Sequence, residues 1–147
     1  MLTLNGIPFT TGRATYRDLH PENVSGKSAI YVQVVLPINT GVSLYAIVDT
    51  GSPYCIFDTE IADALGFSFD DGEGIKLRTP YGEVTGTIQR LTISLVAEQG
   101  DSLEVDASVF VTDDWRYGNF LGYSGLLERI RFAFDPRTNS FYFGPQV

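Results

Sequence analysis

Along most of the chain, apolar and polar residues alternate at period two or apolar β-branched residues run together briefly, and Gly and Pro punctuate the runs. Period two sends alternate side chains to one face of an extended strand, so the pattern predicts a mainly β protein. Ala29 to Pro37 (AIYVQVVLP) and Val42 to Asp49 (VSLYAIVD) read as two strands joined by INTG, a hairpin with Gly41 at its turn. Cys55-Ile56-Phe57 continues extended. Asp58 to Phe67 (DTEIADALGF) reads as a short helix: Asp58 or Thr59 caps it, Ile61 with Ala64 and Leu65 makes an apolar face, and Gly66 stops it. Phe69 to Gly74 (FDDGEG) is an acidic loop. Ile75 to Val96 is a long hairpin with its tip near Pro80-Tyr81-Gly82, and Ser102 to Val111 is a further strand. Gly122 to Ile130 (GYSGLLERI) is a second short helix. The chain closes on a hairpin over 131–144 with Asp135 to Asn139 as its turn. Leu2 to Phe9 (LTLNGIPF) is compatible with a strand, and Arg17 to Ser28 (RDLHPENVSGKS) with a loop.

Composition narrows the classes. The 147 residues suffice for one core, and no apolar run is long enough to span a bilayer. A formal net charge of −8 makes nucleic acid an unsuitable partner, because the phosphate term would be repulsive. The single Cys, Cys55, cannot form an intrachain disulfide and fits a reducing compartment. The first residues, MLTLNGIPFTTGR, lack a basic stretch followed by an apolar one, so the expected location is cytoplasmic. There is no repeat, low-complexity tract or interdomain linker. The chain divides into an extension over 1–27, with an interface or regulatory role left open, and one domain over 28–147.

The chemistry starts from Ile47-Val48-Asp49-Thr50-Gly51-Ser52. A carboxylate at the end of a buried strand is costly unless something satisfies or uses it. Further on come a long hairpin with Tyr81-Gly82 at its tip, then Phe120-Leu121-Gly122 running into a short helix. This order resembles the aspartic proteases, specifically the small single-lobed retropepsin-like branch, over roughly Ala29 to Gly144. The resemblance implies a mainly β acid-protease barrel with two short helices and a flap hairpin, working as a homodimer. It implies an aspartic endopeptidase that needs no cofactor and no metal and takes a peptide or unfolded protein as substrate. Peptide hydrolysis without a metal or covalent nucleophile needs one group to take a proton from water and another to give one to the carbonyl. Two close carboxylates do both, since like charges push their two pKa values apart.

Carried over by residue, the resemblance makes Asp49 one member of that pair and gives Gly51 a close backbone approach with an amide for the carboxylate. Thr50 would bond the matching loop of the other half-site, and Ser52 would offer its hydroxyl to the outer carboxylate oxygen. Pro80, Tyr81 and Gly82 become the flap that covers substrate, poorer in glycine than retroviral flaps and similar to a shortened pepsin-like one. Phe120, Leu121 and Gly122 become the segment passing beneath the Asp49 loop. Only one Asp-Thr/Ser-Gly occurs in the chain, since Asp58-Thr59 is followed by Glu60 and Asp113-Asp114 by Trp115. The second carboxylate must then come from another copy across a two-fold axis. Phe141 and Phe143 on one face of the last strand, with Tyr142 on the other, suggest an apolar edge strand that a partner copy covers.

Other readings fare worse. VSGKS lacks the first Gly of a phosphate loop, because Pro21 stands there. GYSGL has Leu126 where a nucleophile elbow needs Gly. One His (His20) and one Cys leave neither a Ser-His hydrolase nor a zinc site. FDDGEG lacks the spacing of a calcium loop, Cys55 reads as a small core residue, and Trp115 with Tyr117 reads as packing in a loop that could line a pocket. Asn23 would be a glycosylation site only in a secreted chain. The alternative of a different class is a retropepsin-like dimerisation or peptide-binding module with little or no activity.

Overall fold

The computed structural model describes residues 1–18, 29–68 and 73–146. His20, Asn23, the VSGKS stretch and the tip of the acidic loop at 69–72 lie outside the described residues. The chain opens with a small hairpin, β1 (Thr3–Leu4) and β2 (Ile7–Pro8), turned on Asn5 and Gly6 at φ 53° and 79°. β3 (Gly12–Thr15), β4 (Tyr31–Leu36), β5 (Val42–Val48) and β6 (Cys55–Ile56) precede α1 (Thr59–Ala64), the one α-helix among the described residues. The long hairpin is β7 (Glu73–Thr79) and β8 (Gly82–Leu95). After it come β9 (Gln99–Gly100), β10 (Leu103–Val111), β11 (Phe120–Leu121), a 3-10 turn (Leu127–Arg129), β12 (Ile130–Asp135) and β13 (Ser140–Pro145). The mainly β expectation holds. Among the described residues no helix is long and apolar enough to cross a membrane.

Two sheets carry the fold. The larger has the order β10-β6-β11-β5-β4-β8-β7, and β8 also pairs with β10, so the ladder returns to its first strand. The length of β8, 14 residues, makes this possible: it pairs with β7, with β10 from Thr87 to Leu95, and with β4 at its far end. The second sheet is antiparallel, in the order β12-β13-β3-β9. The main core holds Val32, Val34 and Leu36 of β4, Ile93 and Leu95 of β8, and Leu121, Leu126, Phe141 and Phe143. Each such side chain contributes about 1.5–3 kcal/mol by leaving water. A smaller cluster of Ile56, Leu77, Phe110 and Trp115 lies under the long hairpin.

Three local expectations are corrected. The second helix is a single 3-10 turn over Leu127–Arg129, because Gly125 adopts φ 86°, a left-handed conformation that a right-handed helix does not pass through. On α1 the buried alanine is Ala62 while Ala64 is exposed, with Ile61 and Leu65 packed on the core as expected. The third concerns the last strand. β13 is not a free edge: it lies between β12 and β3, so both its hydrogen-bonding sides are used within one chain. Phe141 and Phe143 are 1% and 0% exposed and pack in the core, where Phe134 stacks on Phe141 at 4.9 Å. Tyr142 is half-buried opposite Ala133 and Arg13. The apolar face that suggested a docking edge is covered by the protein's own residues.

Candidate active site

The site grows from the end of β5. The strand is anchored by the fully buried Ala46 and reaches the surface at Asp49, which is half-buried. β11 lies beside it in parallel register, Phe120 against Ile47 and Leu121 against Val48, and on its other side Phe120 pairs with Ile56 of β6. Backbone bonds extend this ladder around the loop. Ile47 N–H donates to the Asn119 carbonyl (2.8 Å), Asp49 N–H to Leu121 (3.0 Å), Tyr123 N–H to Ser52 (2.8 Å) and Ser124 N–H to Pro53 (2.8 Å). Gly122 sits where the two segments cross; a Cβ there would overlap the Tyr54 backbone carbonyl. Phe120-Leu121-Gly122 thus forms the floor that fixes the height and direction of the Asp49 loop.

Within the loop, the Gly51 N–H donates to Asp49 Oδ1 (2.9 Å), and Ser52 N–H closes the turn on the Asp49 carbonyl (3.1 Å). Thr50 and Gly51 are exposed at the apex of the loop. Ser52 differs from expectation. Its hydroxyl donates its one proton to the Tyr54 carbonyl at 2.8 Å, two residues on, and therefore supports the loop instead of the carboxylate.

The long hairpin lies over this loop. Its tip is the two-residue connection Pro80-Tyr81, flanked by Thr79 and Gly82, the latter at φ 118°. Thr79 shapes the tip: its Oγ1 accepts from Tyr81 N–H (3.1 Å) and donates to the Gly82 carbonyl (2.8 Å). Between tip and loop is a cavity of about 280 Å³, which Asp49, Gly51 and Ser52 border on one side and Thr79, Pro80 and Tyr81 on the other. Ile56, Leu77, Trp115 and Phe120 give it apolar walls. A carboxylate opening onto an apolar, partly covered cavity is an arrangement suited to acid–base chemistry on an extended ligand. Phe141, Tyr142 and Phe143 are in the other sheet and do not border it.

Trp115, expected from the sequence as packing in a loop, is one wall of this cavity. It is buried, and its position is fixed from three sides. Nε1–H donates to the Gly118 carbonyl (2.9 Å), its N–H to Thr59 Oγ1 (2.9 Å), and its carbonyl accepts from Thr59 N–H (2.9 Å). Asp58, at the N-cap of α1, makes no side-chain cap bond; its Oδ1 instead accepts from Gly118 N–H (3.1 Å) and braces the same loop. The signal in the sequence was the aromatic pair Trp115-x-Tyr117 just ahead of Phe120-Leu121-Gly122. Cys55 is wholly buried behind the loop, and burial pushes its thiol up to about 11 against the lesser pull of a Gly122 backbone hydrogen bond and Arg129.

No family model matches the chain, and no curated protein matches it. Among solved structures the fold is similar to that of a retropepsin-like aspartic protease from Rickettsia conorii, with a TM-score of 0.57 and 20% sequence identity. The match covers 90% of this chain and 98% of that one. The likeness is one of fold, and it agrees with the family resemblance read from the Asp49, hairpin and Gly122 segments.

Proposed function

We propose that the protein is an aspartic endopeptidase whose active site forms between two copies of the chain. The observation that carries this reading is the placement of Asp49: a half-buried carboxylate at the end of a core strand, opening onto a covered cavity, on a loop whose apex is exposed. One carboxylate cannot take a proton from water and give one to a carbonyl oxygen in the same step. Two held close share a proton and divide these tasks. Each chain has one such loop, and a two-fold axis supplies the second. In this reading the exposed Thr50 meets its counterpart there. The outer side of β12, an end strand of its sheet with half-buried Phe132 and Phe134, offers a longer edge to a second copy than β9 does.

In this reading the ionised carboxylate of the pair takes a proton from water as the water oxygen bonds to the scissile carbonyl carbon. The protonated one gives its proton to the carbonyl oxygen. Protonation of the nitrogen and cleavage of the carbon–nitrogen bond then return the pair to its starting state, with one water added across the bond. The hairpin acts as a flap over an extended peptide, and the walls of Ile56, Leu77, Trp115 and Phe120 accept an apolar side chain.

One observation favours a second reading, a peptide-binding or dimerisation module of little activity: the Ser52 hydroxyl is engaged with Tyr54 and does not support the carboxylate. Incubation with an unstructured protein at mildly acid pH, with and without a statine-type transition-state analogue, separates the two. The peptidase reading expects cleavage that the analogue blocks and Asp49→Asn abolishes with the fold retained. Peptide binding without cleavage would establish the module instead.

A further inference from the structure

Tyr117 stands two residues beyond Trp115 in the loop that leads into β11. Its ring stacks face to face on Tyr81 at the hairpin tip, with centroids 4.0 Å apart and planes 5° from parallel. Both rings meet the Trp115 indole edge-on, at 5.0 Å from Tyr117 and 6.0 Å from Tyr81. Trp115 is anchored through its backbone N–H to Thr59 and its indole N–H to Gly118, so the stack ties the hairpin tip to a fixed point. The tip's hydrogen bonds through Thr79 stay inside the turn; they set its shape but not its height above the site.

We infer that Tyr117 is the positioning residue of the hairpin tip, holding Tyr81 at the height that leaves the Asp49 cavity open beneath it. With the stack formed, the cavity of about 280 Å³ remains, so the stack and an occupied cavity are compatible. The contact therefore preorganises the covered site: ordering of the tip precedes ligand arrival and no longer opposes binding. Tyr81 and Tyr117 are 53% and 49% exposed, so the pair can open and reseat at the surface, and loss of Tyr117 leaves the core intact.

The inference rests on the proposed peptidase reading for the use of the tip, but the contact is tested without substrate. Trp115 is the only tryptophan, so tryptophan emission reports on this cluster alone. In the full chain, Tyr117→Ala is expected to shift that emission and to speed amide exchange at Tyr81 and Gly82 by about three- to tenfold, the range of an aromatic pair. Tyr117→Phe keeps a ring to stack and should match the parent in both. In cleavage assays Tyr117→Ala should raise KM by a similar factor, about three- to tenfold, with kcat little changed, and Tyr117→Phe should restore it. Parental emission and tip exchange in Tyr117→Ala would overturn the inference, whether or not peptides are cleaved. Altered emission and faster exchange with no cleavage even by the parent would sustain it while refuting the peptidase reading.

Discussion

The Asp49 amide donates to the Leu121 carbonyl across 3.0 Å, so the candidate carboxylate takes its position from a strand far along the chain. That strand can approach only because Gly122 follows it. A methyl group there would overlap the Tyr54 backbone, which has no rotamer by which to yield. Gly122→Ala is expected to destabilise by about 2 kcal/mol or more through overpacking. Tm should fall by roughly 5 °C or more by calorimetry, and cleavage should drop further than stability alone explains. An unchanged Tm would show that the crossing has slack.

Ser52 provides a sharper separation of support from chemistry. Its hydroxyl proton goes to the Tyr54 carbonyl and not to Asp49. Ser52→Ala should therefore cost about 1 kcal/mol of stability, the usual worth of such a bond, and leave the shape of the pH–rate profile where it is. A displaced acid limb in Ser52→Ala would mean that the hydroxyl turns to the carboxylate in the working assembly.

The parts of this molecule legible in its sequence are those set by neighbours in the chain. The β4–β5 hairpin follows from two apolar runs around INTG, the stop of α1 from Gly66 at φ 79°, and the long hairpin from Pro80-Tyr81-Gly82 between two period-two runs. Phe141 and Phe143 lie in the core and not on a free edge, and the physical reason is general. Alternation shows that one face of a strand is covered but not which segment covers it, and β3, which occupies the far side of β13, comes from residues 12–15. Trp115 and Tyr117 posed the same problem. Their roles arise from contacts with Thr59 and Tyr81, and no local pattern encodes such pairings.

Burial of Cys55 makes a prediction about alkaline stability. Its thiol is pushed from the ordinary 9.0 up to about 11. Below about pH 9 it is protonated whether folded or unfolded, and its contribution to stability is fully present. As pH rises toward 11 the unfolded chain gives up a proton that the folded chain keeps, so this contribution declines by about 1.4 kcal/mol per pH unit. Denaturant titrations of parent and Cys55→Ala across that window isolate the effect from other titrating groups. The parent's advantage should shrink as pH rises, and a difference that stays constant would show that burial does not hold the proton. At neutral pH the thiol should also resist alkylation until the protein unfolds.

The two-carboxylate proposal makes a prediction about stoichiometry that an activity loss in Asp49→Asn alone does not. If parent and Asp49→Asn chains are mixed equally and allowed to exchange partners, random pairing leaves about a quarter of the dimers with two aspartates. The remaining dimers have one aspartate or none, and one cannot both activate water and protonate the carbonyl. At constant total chain concentration, cleavage should fall to about a quarter of the parental rate. Should each chain work by itself, the same mixture would retain about half, since Asp49→Asn would only dilute the parent. A rate near half after demonstrated subunit exchange would place all the chemistry within one chain and require a second proton-transfer group in the cavity bordered by Asp49.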